Sequence, residues 1–248
     1  MNDVKRYSPN EILQILIDSY HFQEAFDPVV LRGQVIDFDT TILEYSDICD
    51  LLAPNQLAKY YHELFELQTP LTDLQQIFIA DEDNDLRIFC DYVSAHAIKD
   101  AIQPITLLGQ TCMTATLFRT LMFKLHKKGV QTDGVKPSSP FMPLFNKYGG
   151  TIVQEVNKLA PGALSHFEYT DNRMVRAGQG LTVIFILSII IVPLVWKFHW
   201  TLFITLGLGL PLILVGRMFE PEKEIVGGYD TVRDLIIGMQ MQINKAHS

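Results

Sequence analysis

The chain has 248 residues, 48% hydrophobic and 19% charged, with 28 acidic against 20 basic side chains and a net charge of −8. A pI near 5.3 and the lack of any Lys/Arg cluster exclude the basic face that nucleic-acid phosphates demand, so no nucleic-acid partner is expected. Cys49, Cys90 and Cys112 are odd in number, widely spaced and set among apolar residues, which fits free thiols of a reducing compartment rather than a disulfide framework.

The N-terminal run lacks the apolar core of a secretory signal. Ser8, Pro9 and Glu11 then predict a helix start, with a hydroxyl cap, proline at the first helical position and a glutamate reaching back. The helix runs to about His21, with Ile12, Leu13, Leu16, Ile17 and Tyr20 on one face. Residues 29–38 are rich in β-branched side chains interrupted by Arg32 and Gly33, so a short strand, or a hairpin with a bulge at the glycine, is expected. Helical spacing returns over 54–67 and again after Thr69 and Pro70, and then over 86–101. The run 105–126 predicts the longest helix of this half, closed by Lys124, Lys127, Lys128 and Gly129. Its charge-free part is read as core helix rather than membrane span, because Gln103, Gln110 and four threonines would lose hydrogen bonds in lipid.

Seven Gly or Pro residues within 129–150 predict a linker, and 151–159 a short helix. Two charge-free apolar stretches follow, 177–196 and 198–216, separated by Lys197. Each is long enough, at about 1.5 Å per residue, to cross a hydrocarbon core of about 30 Å, so a two-helix transmembrane hairpin is expected. Arg173, Arg176, Arg217 and Lys223 flank it, while the turn carries only Lys197 and His199; the positive-inside bias places both termini in the cytosol. Trp196 and Trp200 beside Lys197 fit the membrane interface, with Arg176 and Arg217 at the opposite ends. After Gly227 and Gly228, Asp230 is the expected cap of an amphipathic helix whose stripe is Val232, Leu235, Ile236, Met239 and Ile243. The covers open to this stripe are the head, another copy of the chain, or the membrane surface; with only Arg233 and Lys245 as basic residues the lipid surface is the weakest of the three, and protein contact is expected.

The fold class expected is therefore mainly α, in five parts: a helical cytosolic head over 1–128, a linker over 129–150, a juxtamembrane segment over 151–176, the hairpin over 177–217 and a C-terminal cytosolic helix within 218–248.

Three constellations bear on chemistry. Val35, Ile36, Asp37, Phe38, Asp39, Thr40 and Thr41 resemble the opening motif of haloacid-dehalogenase-type phosphatases. That resemblance implies a nucleophile at Asp37, an acid and base at Asp39, further parallel strands, a Lys and a second acidic pair holding Mg²⁺. The later acids, Asp81 to Asp85, arrive after segments that read as helices, which leaves no room for those strands. The alternating acids Asp81, Asp83 and Asp85 imitate a Ca²⁺ loop, but Leu86 and Tyr92 stand where glycine and a bidentate glutamate belong. His62 and Glu63 open like a zinc-protease helix, yet Glu66 occupies the place of the second histidine. No catalytic, cofactor or metal site is therefore expected. The leading function is a non-catalytic, membrane-anchored scaffolding or interaction subunit, in contact with membrane lipid and with a protein partner or another copy. The alternatives are an oligomerising two-span effector or pore-like protein, and a membrane-bound phosphotransferase using Asp37 and Asp39.

Overall fold

The computed structural model describes residues 5–27, 29–49, 53–79, 84–100, 102, 104–107, 110–170 and 223–246, with scattered positions between 173 and 183 and between 211 and 215. The protein is mainly helical and divides into two compact units, one formed by Met1–Phe167 with Val226–Ser248, the other by Glu168–Ile225.

The first unit holds α1 (Pro9–Phe26), α2 (Ile42–Cys49), α3 (Pro54–Leu64), α4 (Leu71–Ile79) and α5 (Leu86–His96). A hairpin of β1 (Thr106–Leu107) and β2 (Gln110–Thr111) follows, then α6 (Met113–Lys127), α7 (Phe141–Leu159) and, from the far end of the chain, α8 (Val232–Ala246). Strands β3 (Phe167–Thr170) and β4 (Lys223–Val226) pair with each other.

Helix α1 begins where its sequence says it should. The Glu11 amide donates to Ser8 Oγ at 3.2 Å, and the Ser8 amide donates to Glu11 Oε2 at 2.9 Å, which satisfies two donors the helix leaves free. The helix continues past His21 to Phe26. Its extra turn matters, because Phe22 and Phe26 lie 6.1 and 6.0 Å from the Phe145 ring and 5.6 and 6.4 Å from Phe167.

Two apolar cores result, and α1 belongs to both. In the first, Ile12, Leu16 and Tyr20 pack with residues of α2 to α5; Tyr61 stacks on Phe78 at 5.8 Å, and its hydroxyl meets that of Tyr45 at 3.1 Å. The second joins Leu117, Leu121 and Leu125 of α6 to Phe141, Phe145 and Val156 of α7 and to Leu235 and Met239 of α8. Tyr7 adds a polar tie by donating to the Lys158 carbonyl.

Several sequence expectations are corrected here. Residues 29–38 contain no strand, only bends, a turn at Arg32 and Gly33, residues without regular structure and the start of a turn at Phe38; β-branched content does not supply a neighbouring strand to pair with. The long helix expected from Ile105 starts at Met113, because the preceding residues fold back as the β1–β2 hairpin, with Thr111 opposite Thr106. Absence of charge does not separate a buried hairpin from a buried helix. The expected linker is helical from Phe141 onward. Pro143 sits in the first turn, where no helical hydrogen bond is lost, and the helix survives Gly149 and Gly150 by kinking at Tyr148 (φ −136°, ψ 22°). The cap of α8 is Thr231 rather than Asp230: its hydroxyl accepts from the Asp234 amide and its own amide donates to Asp234 Oδ2 at 3.0 Å.

The membrane assignment is also corrected. Among the described residues no helix is long and apolar enough to cross a membrane, so the two-span hairpin over 177–217 and the integral-membrane placement with cytosolic termini are not supported. Hydropathy over a window measures apolar content, whereas spanning also demands one continuous helix; residues 184–210 of that stretch lie outside the described residues. Arg176, Trp196, Lys197, Trp200 and Arg217, the expected interface residues, lie outside the described residues.

Candidate functional site

Asp37 and Asp39 are held apart in their roles by local hydrogen bonds. Asp37 Oδ1 accepts from the amides of Asp39 and Thr40, each at 3.0 Å, and from Thr40 Oγ at 3.1 Å, so it closes an Asx turn ahead of α2. Asp39 turns away to the Arg87 guanidinium at 2.9 Å, which also covers the Phe38 ring at 4.8 Å. The sheets among the described residues are two-stranded, and the parallel strands that the phosphatase resemblance implies are not among them.

Asp85 is the cap of α5, accepting from the Ile88 amide at 3.0 Å, while Asp81 and Asp83 lie outside the described residues. His62 donates through Nε2 to the Thr69 carbonyl at 2.7 Å, Glu63 is 3.9 Å from Lys59, and Glu66 is 3.7 Å from Lys158. Among the described residues no three His, Cys, Asp or Glu side chains are grouped to hold a metal. Cys49 and Cys90 are buried, and burial pushes both thiols up to about 12. Cys112 is half-buried.

The stripe expected to meet a partner is covered by the chain itself. Val232, Leu235, Ile236 and Met239 are buried in the second core, and Ile243 packs at its edge. Helical periodicity demands that the face be covered, and of the covers expected for these five residues it is the chain's own α6 and α7 that meet them.

A different surface emerges at the loop after α1. Leu31, Arg32, Gly33 and Gln34 form a tight turn in which Gly33 takes φ +70°, a conformation that glycine adopts without strain. The two groups such a turn would join are instead bridged by Tyr20: its hydroxyl donates to the Leu31 carbonyl at 2.8 Å and accepts from the Gln34 amide at 3.0 Å. Glu24 Oε1 accepts from the Gly33 amide at 2.6 Å, Asp27 Oδ1 from the Val29 amide at 3.0 Å, and the Leu31 amide donates to the Ile48 carbonyl at 3.0 Å. Val30 and Ile36 are buried and anchor the two arms, whereas Val29, Leu31 and Val35 are 62, 51 and 81% exposed. Burial pushes the Tyr20 phenol upward, so it remains a protonated donor at neutral pH.

Sequence reasoning read this segment as strand and missed its surface. The available signal was Gly33 in an apolar run; the Tyr20 hydroxyl, 11 residues from Leu31, leaves no periodic trace.

Two other features lie in the same unit. A depression of about 330 Å³ lies on the N-terminal side of the kink in α7, walled by Val135, Pro140, Pro143, Leu144, Lys147 and Tyr148; the Lys147 ammonium lies over the Tyr148 ring at 5.0 Å. A buried ion network joins Glu155 to Lys158 at 3.2 Å and to Lys124 at 3.9 Å, and Lys124 also meets Asp100. These charges satisfy one another, and breaking such a set by removing one member is far costlier than the set is stabilising.

No protein-family model, no curated protein and no solved structure matches this chain.

Proposed function

We propose that the protein is a non-catalytic interaction module that engages a protein partner through the loop at residues 29–35. The observation supporting this reading is the pairing of exposure with rigidity: three branched apolar side chains face solvent from a backbone fixed by five hydrogen bonds to Tyr20, Glu24, Asp27 and Ile48. Exposed apolar side chains gathered on one loop mark contact sites more often than scattered ones do, and a loop already held in one conformation loses little entropy when it binds. The membrane anchor drops out of this reading, and the head carries the contact.

The variant Val29→Ser/Leu31→Ser/Val35→Ser tests it. All three side chains are exposed, so each change is expected to leave stability within about 0.5 kcal/mol. A tagged parent chain should retain a partner under mild conditions that the variant retains at least tenfold less well, a difference of about 1.4 kcal/mol. Identical retention by the two chains would sink the proposal.

A further inference from the structure

We infer that the occupant of the 29–35 surface is a cationic amphipathic segment of a partner protein, one that sets Lys or Arg side chains beside an apolar stripe. This rests on the reading of the loop as a contact surface and adds a charge requirement to it. From Glu24 to Ile48 the chain carries six carboxylates, on Glu24, Asp27, Asp37, Asp39, Glu44 and Asp47, against the single basic side chain of Arg32. That tenth of the molecule therefore holds a net charge of −5, more than half of the total of −8.

Four of these acids are brought to the apolar trio by the fold. Glu24 is hydrogen-bonded to Gly33 within the turn, and Asp27 to Val29 at its start. Asp37 closes the far arm two residues after Val35, and Asp47 adjoins Ile48, whose carbonyl receives the Leu31 amide. Arg87 reaches in from α5 but is taken by Asp39. Val29, Leu31 and Val35 thus stand in a predominantly negative field, offset only in part by Arg32.

A field of this kind selects among occupants. Cationic side chains at the rim gain from it, and the apolar contact they surround excludes water and strengthens the attraction. A second copy of this chain would bring the same six acids against themselves, and an anionic lipid surface would be repelled. Steering of an oppositely charged partner raises association rates by about 10 to 10³, an effect that salt removes.

Three labelled helical peptides of about 14 residues, roughly four turns, serve as probes for fluorescence anisotropy with the full chain. One carries a leucine stripe flanked by lysines, the second the same stripe flanked by glutamates, and the third lysines around serines. The Lys/Leu peptide is expected to bind at least tenfold tighter than the other two and to weaken as salt rises. It should also lose at least tenfold against Leu31→Ser/Val35→Ser, whose circular dichroism matches the parent. If the Glu/Leu peptide binds as tightly and suffers equally from that variant, the charge inference is overturned while the contact surface stands. Lys/Leu binding that ignores the variant, or no Lys/Leu binding at all, overturns the assignment of a cationic occupant to this loop.

Discussion

Asp18 and Tyr20 stand two residues apart on α1, about 200° around its axis, and each holds a different segment. Tyr20 fixes the 31–34 turn. The buried carboxyl of Asp18 accepts from the Gly162 amide at 2.6 Å and from the Gln14 side chain at 2.8 Å, which ties α1 to the turn after α7. Burial nevertheless outweighs both bonds and pushes its pKa up to about 6, against the usual 3.8. The titratable side chain interacting with it is His21, one turn along α1, whose coulombic effect acts in the opposite direction. Because the folded value exceeds the unfolded one, the native state holds the proton more tightly between those two pH values. The contribution of Asp18 to stability is then complete below 3.8 and is lost as pH rises through 6. Asp18→Asn keeps an acceptor for Gly162 and removes the charge; it is expected to stabilise by about 2 kcal/mol near pH 7.5 and by only a few tenths near pH 4. Urea unfolding at the two pH values checks this, and a destabilised variant at pH 7.5 would contradict it.

Helix α8 shows what a sequence pattern does and does not specify. Its stripe at Val232, Leu235, Ile236 and Met239 was legible from spacing alone, but spacing names a face and not its owner. Met239 is fully buried beside α6 and α7. Met239→Ala is therefore expected to cost the isolated chain about 2–4 kcal/mol, as large-to-small core changes do. A stripe reserved for an external partner would change stability in the absence of that partner by less than about 0.5 kcal/mol, so denaturant unfolding of the purified chain separates the two. The cap of α1 was legible for the same local reason that it works: Ser8 and Glu11 lie within four residues. The first half of α7 was not, because Gly149, Gly150 and three nearby prolines suggest a loop by composition, while the burial of Phe141 and Phe145 decides for helix.

At the scale of the molecule, the helical character and the acidic balance were readable in advance, and the way the chain closes on itself was not. Residues from the far C-terminus complete a core begun at Leu117, and α1, which packs into the first core through Ile12, Leu16 and Tyr20, reaches this second one through Phe22 and Phe26, a turn beyond the helix end that periodicity suggested. The apolar stretch over 177–217 dominated the sequence, but apolar content does not reveal what a segment packs against, and most of that stretch lies outside the described residues. With the α8 stripe internal and the acids at 37, 39 and 85 used in turns, caps and an ion pair, the 29–35 loop gathers three exposed apolar side chains on a fixed backbone, whereas Phe123 of α6 and Met241 of α8 are exposed on separate helices. Site-specific photo-crosslinking tests that claim most directly. A photoreactive phenylalanine analogue placed at Val35, compared with one at the exposed Lys127 of α6, is expected to give one discrete protein adduct from position 35 under native conditions and none from position 127. A diffuse smear from both positions, or no adduct from position 35, would contradict the account.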